Sequence, residues 1–250
     1  MKIKVIANSA GIFAKVILAL QTVKNFCDNK KINVDRISEI YFESTPNGVK
    51  NLFDHVIIQN KNDKYDTVLI ARKFKTYNRM FQDNDLPFFK KLMNKVKLDN
   101  KLINSINNEI TNNTLGVHIR LTDMNSLHGK NYGTRNFSDY EKIINKALSE
   151  NTNITNIFVS SDNLESINKL KKKYNVIFNE SISNRHTKEI DKNNEYNKFL
   201  RSNHILNTFW FDSFLDMISL SKCGVLVKGV SSLSNTSIII SDNLKKVYYV

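Results

Sequence analysis

With 250 residues, of which 41% are hydrophobic and 10% aromatic, the chain can form one large or two small domains and is too apolar for a disordered protein. Its formal net charge of +13 favours anionic partners (nucleotides, nucleic acid, phospholipid surfaces or acidic glycans) without choosing among them. Two distant cysteines, Cys27 and Cys223, indicate a reducing compartment without a disulfide. The sequence has no CxxC and no His/Cys cluster, so it does not indicate a structural zinc site. No apolar run reaches the roughly 20 residues that span a bilayer, so we expect a soluble, cytoplasmic protein.

The first half alternates apolar strands with amphipathic helices, which is typical of an α/β unit. A strand at residues 2–7 leads through the turn Asn8-Ser9-Ala10-Gly11 into a helix. The hydrophobic spacing predicts further strands at 36–43, 56–58 and 67–71, and helices at 12–27, 49–55, 88–96 and 100–110.

A fresh α/β series begins after Asn112-Asn113, which predicts an N-terminal domain at 1–112 and a C-terminal domain at 113–250. Its first helix would start at a capping box formed by Ser138 and Glu141. Two such halves predict an α/β fold of two Rossmann-like units with a cleft between them. The pattern predicts strands at 115–120, 156–160, 176–178, 224–227 and 247–250, and helices at 140–148, 164–174, 209–221 and 234–241.

The most informative stretch is Leu115-Gly-Val-His-Ile-Arg-Leu-Thr-Asp123. Alternation along a strand directs His118 and Arg120 away from the apolar face, and Asp123 follows in a polar loop. In open α/β sheets ligands bind at the carboxyl ends of strands, where a guanidinium matches phosphate oxygens. The alternative is a surface ion pair between Arg120 and Asp123.

Two carboxylates lie at other promising positions. Asp162 ends the next strand in Ser160-Ser161-Asp162, where it is a candidate donor ligand or a helix N-cap. Asp216 lies one helical turn after Asp212 among apolar residues, so it could accept hydrogen bonds from N1–H and the 2-amino group of guanine. The alternative for Asp216 is a solvated helix face.

The turn Gly229-Val-Ser231-Ser232-Leu-Ser-Asn235 follows a strand and precedes a helix. A glycine, hydroxyls and backbone N–H groups at a helix N-terminus form an anion site, although a serine there can also be an ordinary cap. In the loop after the Arg120 strand, His128, Lys130 and Arg135 could close over a ligand or belong to a solvated loop.

Together these motifs resemble the α1,6/α1,2/protein O-fucosyltransferase superfamily. His118-Ile-Arg120-x-x-Asp123 is similar to the family's HxR(R)xD motif, Phe158 to Asp162 to its second motif, and Asp216 to Ser232 to its third. The resemblance covers about residues 114–241. It implies a GT-B-like fold and an inverting transferase that uses GDP-fucose to build a glycan, without a metal or other cofactor.

The same resemblance implies the roles of the site residues. Arg120 would bind the β-phosphate and stabilise departing GDP, with His118 near the phosphates and ribose and Asp123 orienting Arg120. Asp162 and Asp216 would belong to the donor site, with Asp216 reading guanine, and Ser231 and Ser232 would hold phosphate. The implied partners are the nucleotide-sugar donor and a glycan acceptor, with peripheral contact to a membrane-linked acceptor possible and nucleic acid not expected.

Three alternatives stay open. Leu121 stands where many α1,6- and α1,2-type enzymes have a second arginine, so another nucleotide sugar could be the donor. The absence of this second arginine would also suit a relative that binds a nucleotide or glycan without turnover. The basic charge would suit a nucleic-acid-binding protein, but no aromatic-interleaved basic stripe supports one.

Overall fold

The computed structural model describes residues 1–7, 12–44, 51–55, 57–59, 64–71, 83–121, 135–180 and 203–250. The chain divides into two compact units, Met1–Ile103 and Asn104–Val250. The division falls earlier than the predicted boundary at Asn112-Asn113.

The first unit contains a parallel sheet in the order β2-β1-β4. The apolar stripe of its long first helix is buried, because Val16, Ile17, Leu20 and Val23 recur at helical spacing. A separate antiparallel pair joins β3 to β5. The elements are β1 (Lys2–Ile6), α1 (Ile12–Lys30), β2 (Glu39–Glu43), β3 (Ile57–Ile58), β4 (Thr67–Ile70), α2 (Leu86–Met93), β5 (Lys97–Leu98) and α3 (Asn100–Asn104), with 3₁₀ turns at Val34–Arg36, Leu52–His55 and Asp83–Asp85.

The helix predicted at 100–110 is wrong in length, because α3 ends at Asn104. Beyond it the Asn107 side chain accepts a hydrogen bond from the Glu109 N–H at 2.9 Å, and the Ile110 N–H donates to the Asn107 carbonyl. Asparagine side chains that bond nearby backbone groups compete with the helical ladder, so this segment turns towards the second unit's first strand.

The second unit is a five-stranded parallel sheet in the order β10-β9-β6-β7-β8. Its central strand, β6, is buried along its whole length, as a strand covered on both faces must be. The elements are β6 (Thr114–Ile119), α4 (Phe137–Glu150), β7 (Asn156–Ser161), α5 (Leu164–Lys171), β8 (Val176–Ile177), α6 (Asn203–Lys222), β9 (Val225–Lys228), α7 (Ser232–Ile240) and β10 (Lys246–Tyr249).

The two faces of β6 meet different partners, as its alternation predicts. Leu115, Val117 and Ile119 join a core cluster with α4 and α5. On the other face a Cβ on Gly116 would lie 3.1 Å from Cys223 Sγ and Leu220 Cδ2, so the glycine lets α6 approach the sheet closely. His118 shares the Gly116 face and is therefore directed towards the α6 side.

The predicted capping box of Ser138 and Glu141 is wrong, because α4 begins at Phe137 and is capped by Asn136. The Asn136 side chain accepts from the Asp139 N–H at 3.1 Å, and the Asp139 carboxylate accepts from the Asn136 N–H at 2.9 Å. Asn136 has the extended backbone that an N-cap needs, whereas Ser138 already lies inside the helix.

Both described units are thus α/β with parallel sheets, as predicted. Within the described ranges, no helix has the length and hydropathy needed to cross a membrane.

Candidate functional site

The site begins with a row of buried polar side chains at the carboxyl edge of the second sheet. His118 on β6 is in register with Ser160 on β7 and with Lys228 on β9. These residues are 5%, 3% and 0% exposed. Because register partners in a sheet share a face, the three side chains line the α6 side of the sheet next to one another.

Asp216 on α6 joins this row through Ser160. The Ser160 hydroxyl donates to Asp216 Oδ2 at 2.8 Å, and the Asn179 amide donates to Oδ1 at 2.9 Å. Asp216 is 7% exposed, which excludes the solvated helix face. Burial raises the pKa of Asp216 to about 7, against the opposing effect of these two hydrogen bonds and with a further rise from nearby Asp212.

Arg120 directly follows β6 and is partly buried, and Leu121 follows it. The Leu121 N–H donates to Asp162 Oδ1 at 3.3 Å, so Asp162 ties the end of β6 to the end of β7. The helix-cap alternative for Asp162 is excluded, because Asn163 caps α5 by accepting from the Ser166 N–H at 3.0 Å.

The turn after β9 leads into α7, whose N-cap is Ser231. The buried Ser231 hydroxyl accepts from the Leu233 N–H at 3.3 Å, and Ser232 is the first residue of the helix. Ser231 therefore serves as a cap, and the positive end of the helix dipole lies at the same turn.

Gly229 brings the turn against the start of α4. A Cβ at this position would lie 2.6 Å from Tyr140 Oη and 3.7 Å from Arg135 Cδ. Tyr140 has a backbone hydrogen bond with Arg120, which opposes the rise in its pKa caused by burial. Gly229, Tyr140, Arg120 and Arg135 therefore lie at one edge of the sheet.

Lys228 and Asn179 are polar members of the site that the sequence motifs did not predict. Lys228 is fully buried, donates to Asn235 Oδ1 and lies 5.2 Å from the centroid of the Tyr249 ring. Burial lowers the pKa of Lys228 to about 7, and the charge of Arg135 lowers it further. The available signal is that Lys228 immediately follows the apolar run of Val225 to Val227. The predicted strand ends at Val227, whereas β9 ends at Lys228.

The six described candidates, His118, Arg120, Asp162, Asp216, Ser231 and Ser232, all belong to the carboxyl ends of β6, β7 and β9 or to the helices beside them. Asp123, His128 and Lys130 lie outside the described residues. Within the ranges that the structure describes, no group of three His, Cys, Asp or Glu residues could hold a metal ion, and metal independence stays a prediction.

Several solved structures that are similar to this chain are fucosyltransferases. The α-1,6-fucosyltransferase NodZ soaked with GDP-fucose has a TM-score of 0.57 and 10% identity, over 96% of this chain and 93% of that one. NodZ from Bradyrhizobium has a TM-score of 0.52 and 9% identity, over 95% and 92%. A variant of Arabidopsis thaliana FUT1 in complex with GDP has a TM-score of 0.54 and 10% identity, over 98% and 70%.

The chain has a fucosyltransferase-like fold. The GT-B-like fold class expected from the sequence motifs is thereby confirmed. At identities near one tenth this likeness establishes the fold alone.

No protein-family model matches the sequence. Among curated proteins, Protein PFC0760c of Plasmodium falciparum is 26% identical over 249 residues. That match covers 92% of this chain and only 6% of the relative, so the chain spans a small part of that protein's length.

Proposed function

We propose that the chain is an inverting, metal-independent glycosyltransferase that transfers fucose from GDP-fucose to a glycan. One observation carries the proposal: Arg120, the N-terminus of α7 and the buried carboxylate of Asp216 converge at the carboxyl edge of one parallel sheet. Ligands of open α/β sheets bind at this edge.

The phosphate half of the donor would be held by Arg120 and by the Ser231–Ser232 turn. A guanidinium offers a fork of donors to phosphate oxygens, and a helix N-terminus adds N–H groups and a positive dipole. During transfer the acceptor oxygen bonds to C1 of the sugar, while the C1–O bond to the diphosphate breaks and its electron pair leaves with GDP. The acceptor's proton passes to a base. Donors fixed at the leaving diphosphate stabilise this developing charge without a metal.

The remaining candidates would position the donor. His118 would contact it near the phosphates and ribose, and Asp162 would hold the start of the loop that follows β6. From the sequence motif, Asp123 would orient Arg120.

The guanine half would be read by Asp216. Each carboxylate oxygen has two acceptor positions, and hydrogen bonds from Ser160 and Asn179 occupy one on each oxygen. The second positions suit N1–H and the 2-amino group of guanine, a pair of donors that uracil and cytosine lack. These donors favour the ionised form of Asp216, so guanine binding would lower its pKa from about 7.

A thermal-shift panel of GDP, GDP-fucose, UDP, CDP and single-stranded DNA tests the donor class. A ligand that binds only the native state at a hundred times its Kd stabilises by about 2.7 kcal/mol, which for a chain of this size raises Tm by roughly 5–10 °C. We expect that shift with GDP and GDP-fucose. A larger shift with UDP or CDP would refute the guanine role of Asp216, and binding of DNA alone would refute the transferase.

The role of Arg120 is tested by Arg120→Lys, which keeps the charge and loses the planar fork. Release of GDP from GDP-fucose, with and without an oligosaccharide panel, should fall about 10²- to 10³-fold. The matched control is Arg36→Lys, which changes an exposed arginine of the first unit and should leave the rate unchanged. A wild-type rate in Arg120→Lys would remove Arg120 from the mechanism.

A further inference from the structure

The buried ammonium of Lys228 has no role in the donor site as proposed so far. Its side chain is completely buried, yet its contacts are the amide oxygen of Asn235 and the ring of Tyr249. Among the described residues no carboxylate pairs with it. An ammonium buried without a counter-charge is strongly unfavourable unless something else stabilises it.

The groups around Lys228 come from four elements. His118 is its register neighbour on β6, and Tyr249 is its neighbour on β10. Arg135, at the start of α4, repels its charge. The fourth element, α7, contributes Asn235 and has no ionisable side chain. These side chains around Lys228 are therefore neutral or positively charged.

The two described carboxylates of the site, Asp216 and Asp162, have hydrogen-bond partners other than Lys228. Asp216 is bonded to Ser160 and Asn179 on the far side of His118, and Asp162 is bonded to the Leu121 N–H. Lys228 thus lies within reach of the positive charge of Arg135, and no carboxylate among the described residues pairs with Lys228. Like charges held together in this way are stabilised by an anion.

The position of Lys228 indicates which anion. It is the last residue of β9, immediately before the Gly229 turn, and its hydrogen bond reaches the fourth residue of α7. That bond joins the strand end to the first turn of the helix whose N-terminus would face the diphosphate.

We infer that Lys228 is a positioning residue of the donor site, whose ammonium fixes the first turn of α7 through Asn235 and supplies positive charge beneath the diphosphate. This inference rests on the proposed function, because the diphosphate is that of the proposed donor. The chemical class it requires is a diphosphate, so inorganic pyrophosphate is a sufficient probe.

A consequence is that diphosphate binding takes up a proton. The pKa of Lys228 is about 7 in the free protein, so at pH 8 roughly nine-tenths of the lysine is neutral. A bound anion raises this pKa and restores the ammonium. Pyrophosphate binding should therefore weaken about tenfold per pH unit above pH 8, since one proton is taken up per anion bound.

The test is isothermal titration calorimetry of the full chain at pH 8, with pyrophosphate and with GDP, in two buffers of different ionisation enthalpy. We expect an uptake of close to one proton with wild type. Lys228→Met, which keeps the aliphatic length, should abolish the uptake and weaken pyrophosphate binding at pH 7. Lys228→Arg, permanently charged, should bind without uptake.

Asn235→Asp gives a second variant of nearly unchanged shape. Its carboxylate would pair with Lys228, keep it protonated and compete with the anion, so both affinity and uptake should fall. Unchanged proton uptake in Lys228→Met and Asn235→Asp would overturn the inference, because a purely structural lysine would not affect the proton count.

The binding experiments distinguish failure of the Lys228 role from failure of the proposed transferase function. GDP binding with the expected nucleotide preference but without Lys228-dependent uptake would overturn the role of Lys228 and support the transferase. Pyrophosphate binding with that uptake, but no preference of the protein for GDP, would support Lys228 and overturn the proposed donor. Binding of neither probe would overturn both.

Discussion

Replacing Asp216 with asparagine should make the ligand-free protein more stable at pH 8. A rise of the Asp216 pKa from 3.8 to about 7 means that ionising this carboxyl costs about 4 kcal/mol more in the folded chain than in the unfolded one. Because the folded-state pKa is the higher one, the contribution of Asp216 to stability is greatest below pH 4 and is lost as the pH rises from about 4 to about 7.

Asparagine can be accommodated at position 216 without losing either hydrogen bond. Its oxygen can accept from Asn179, and its amide can donate to Ser160, whose hydroxyl can turn to accept. Asp216→Asn should therefore gain about 1–4 kcal/mol at pH 8 and lose this part of the pH dependence, while its affinity for GDP falls.

Urea unfolding from pH 4 to pH 8, followed by intrinsic fluorescence, measures this difference. Asp242→Asn, which changes an exposed carboxylate of the same unit, is the matched control and should move stability by less than about 0.5 kcal/mol. If Asp216→Asn is less stable than wild type at pH 8, or keeps the wild-type pH dependence, ionised Asp216 does not destabilise the folded protein and the reasoning is refuted.

Two further predictions concern the turn before α7. Gly229→Ala should lower the free energy of unfolding, measured in urea, by about 1–3 kcal/mol, because its Cβ would lie 2.6 Å from Tyr140 Oη. Adding Tyr140→Phe removes this hydroxyl and should recover part of the loss. If the double variant recovers nothing, this contact is not the cause. Ser231→Ala should lower the free energy of unfolding by about 1 kcal/mol, because it removes the N-cap of α7. Ser232→Ala should weaken GDP binding in titration calorimetry with little change in stability. Equal losses of stability in the two variants would contradict this division of roles.

The parts of the site that the sequence predicted are those with a strong local pattern. Period-two alternation was sufficient to separate the two faces of β6, because a strand with both faces covered leaves no freedom of register. Asp216 could be singled out because a carboxylate among apolar helix positions either has a function or destabilises the fold. The serine turn was recognisable because capping residues have a fixed position relative to their helix.

The parts that it could not predict depend on competition between neighbouring residues or on tertiary contact. Either Asn136 or Ser138 can cap α4, and either Asp162 or Asn163 can cap α5. The two candidates lie two residues apart in the first case and one residue apart in the second, and local sequence does not decide between them. The predicted strand ends at Val227 because a lysine rarely ends a buried strand, and only the register with His118 reveals Lys228 as part of the site. Asn179 has no local signal, since its contact with Asp216 is made across the fold.

Asp216 and Lys228 lie on opposite sides of His118, and burial brings both pKa values to about 7 by shifting them in opposite directions. Burial favours the neutral form of both, and each half of GDP would restore one charge: guanine donors ionise Asp216, and the diphosphate protonates Lys228. Guanosine binding should therefore release protons at pH 6 to 7, pyrophosphate binding should take them up at pH 7 to 8, and GDP binding at pH 7 should exchange almost none. Calorimetry of the three ligands in paired buffers measures these proton counts. If GDP releases or takes up a full proton at pH 7, the two residues do not serve the two halves of one nucleotide, and their shared row at the sheet edge must have another explanation.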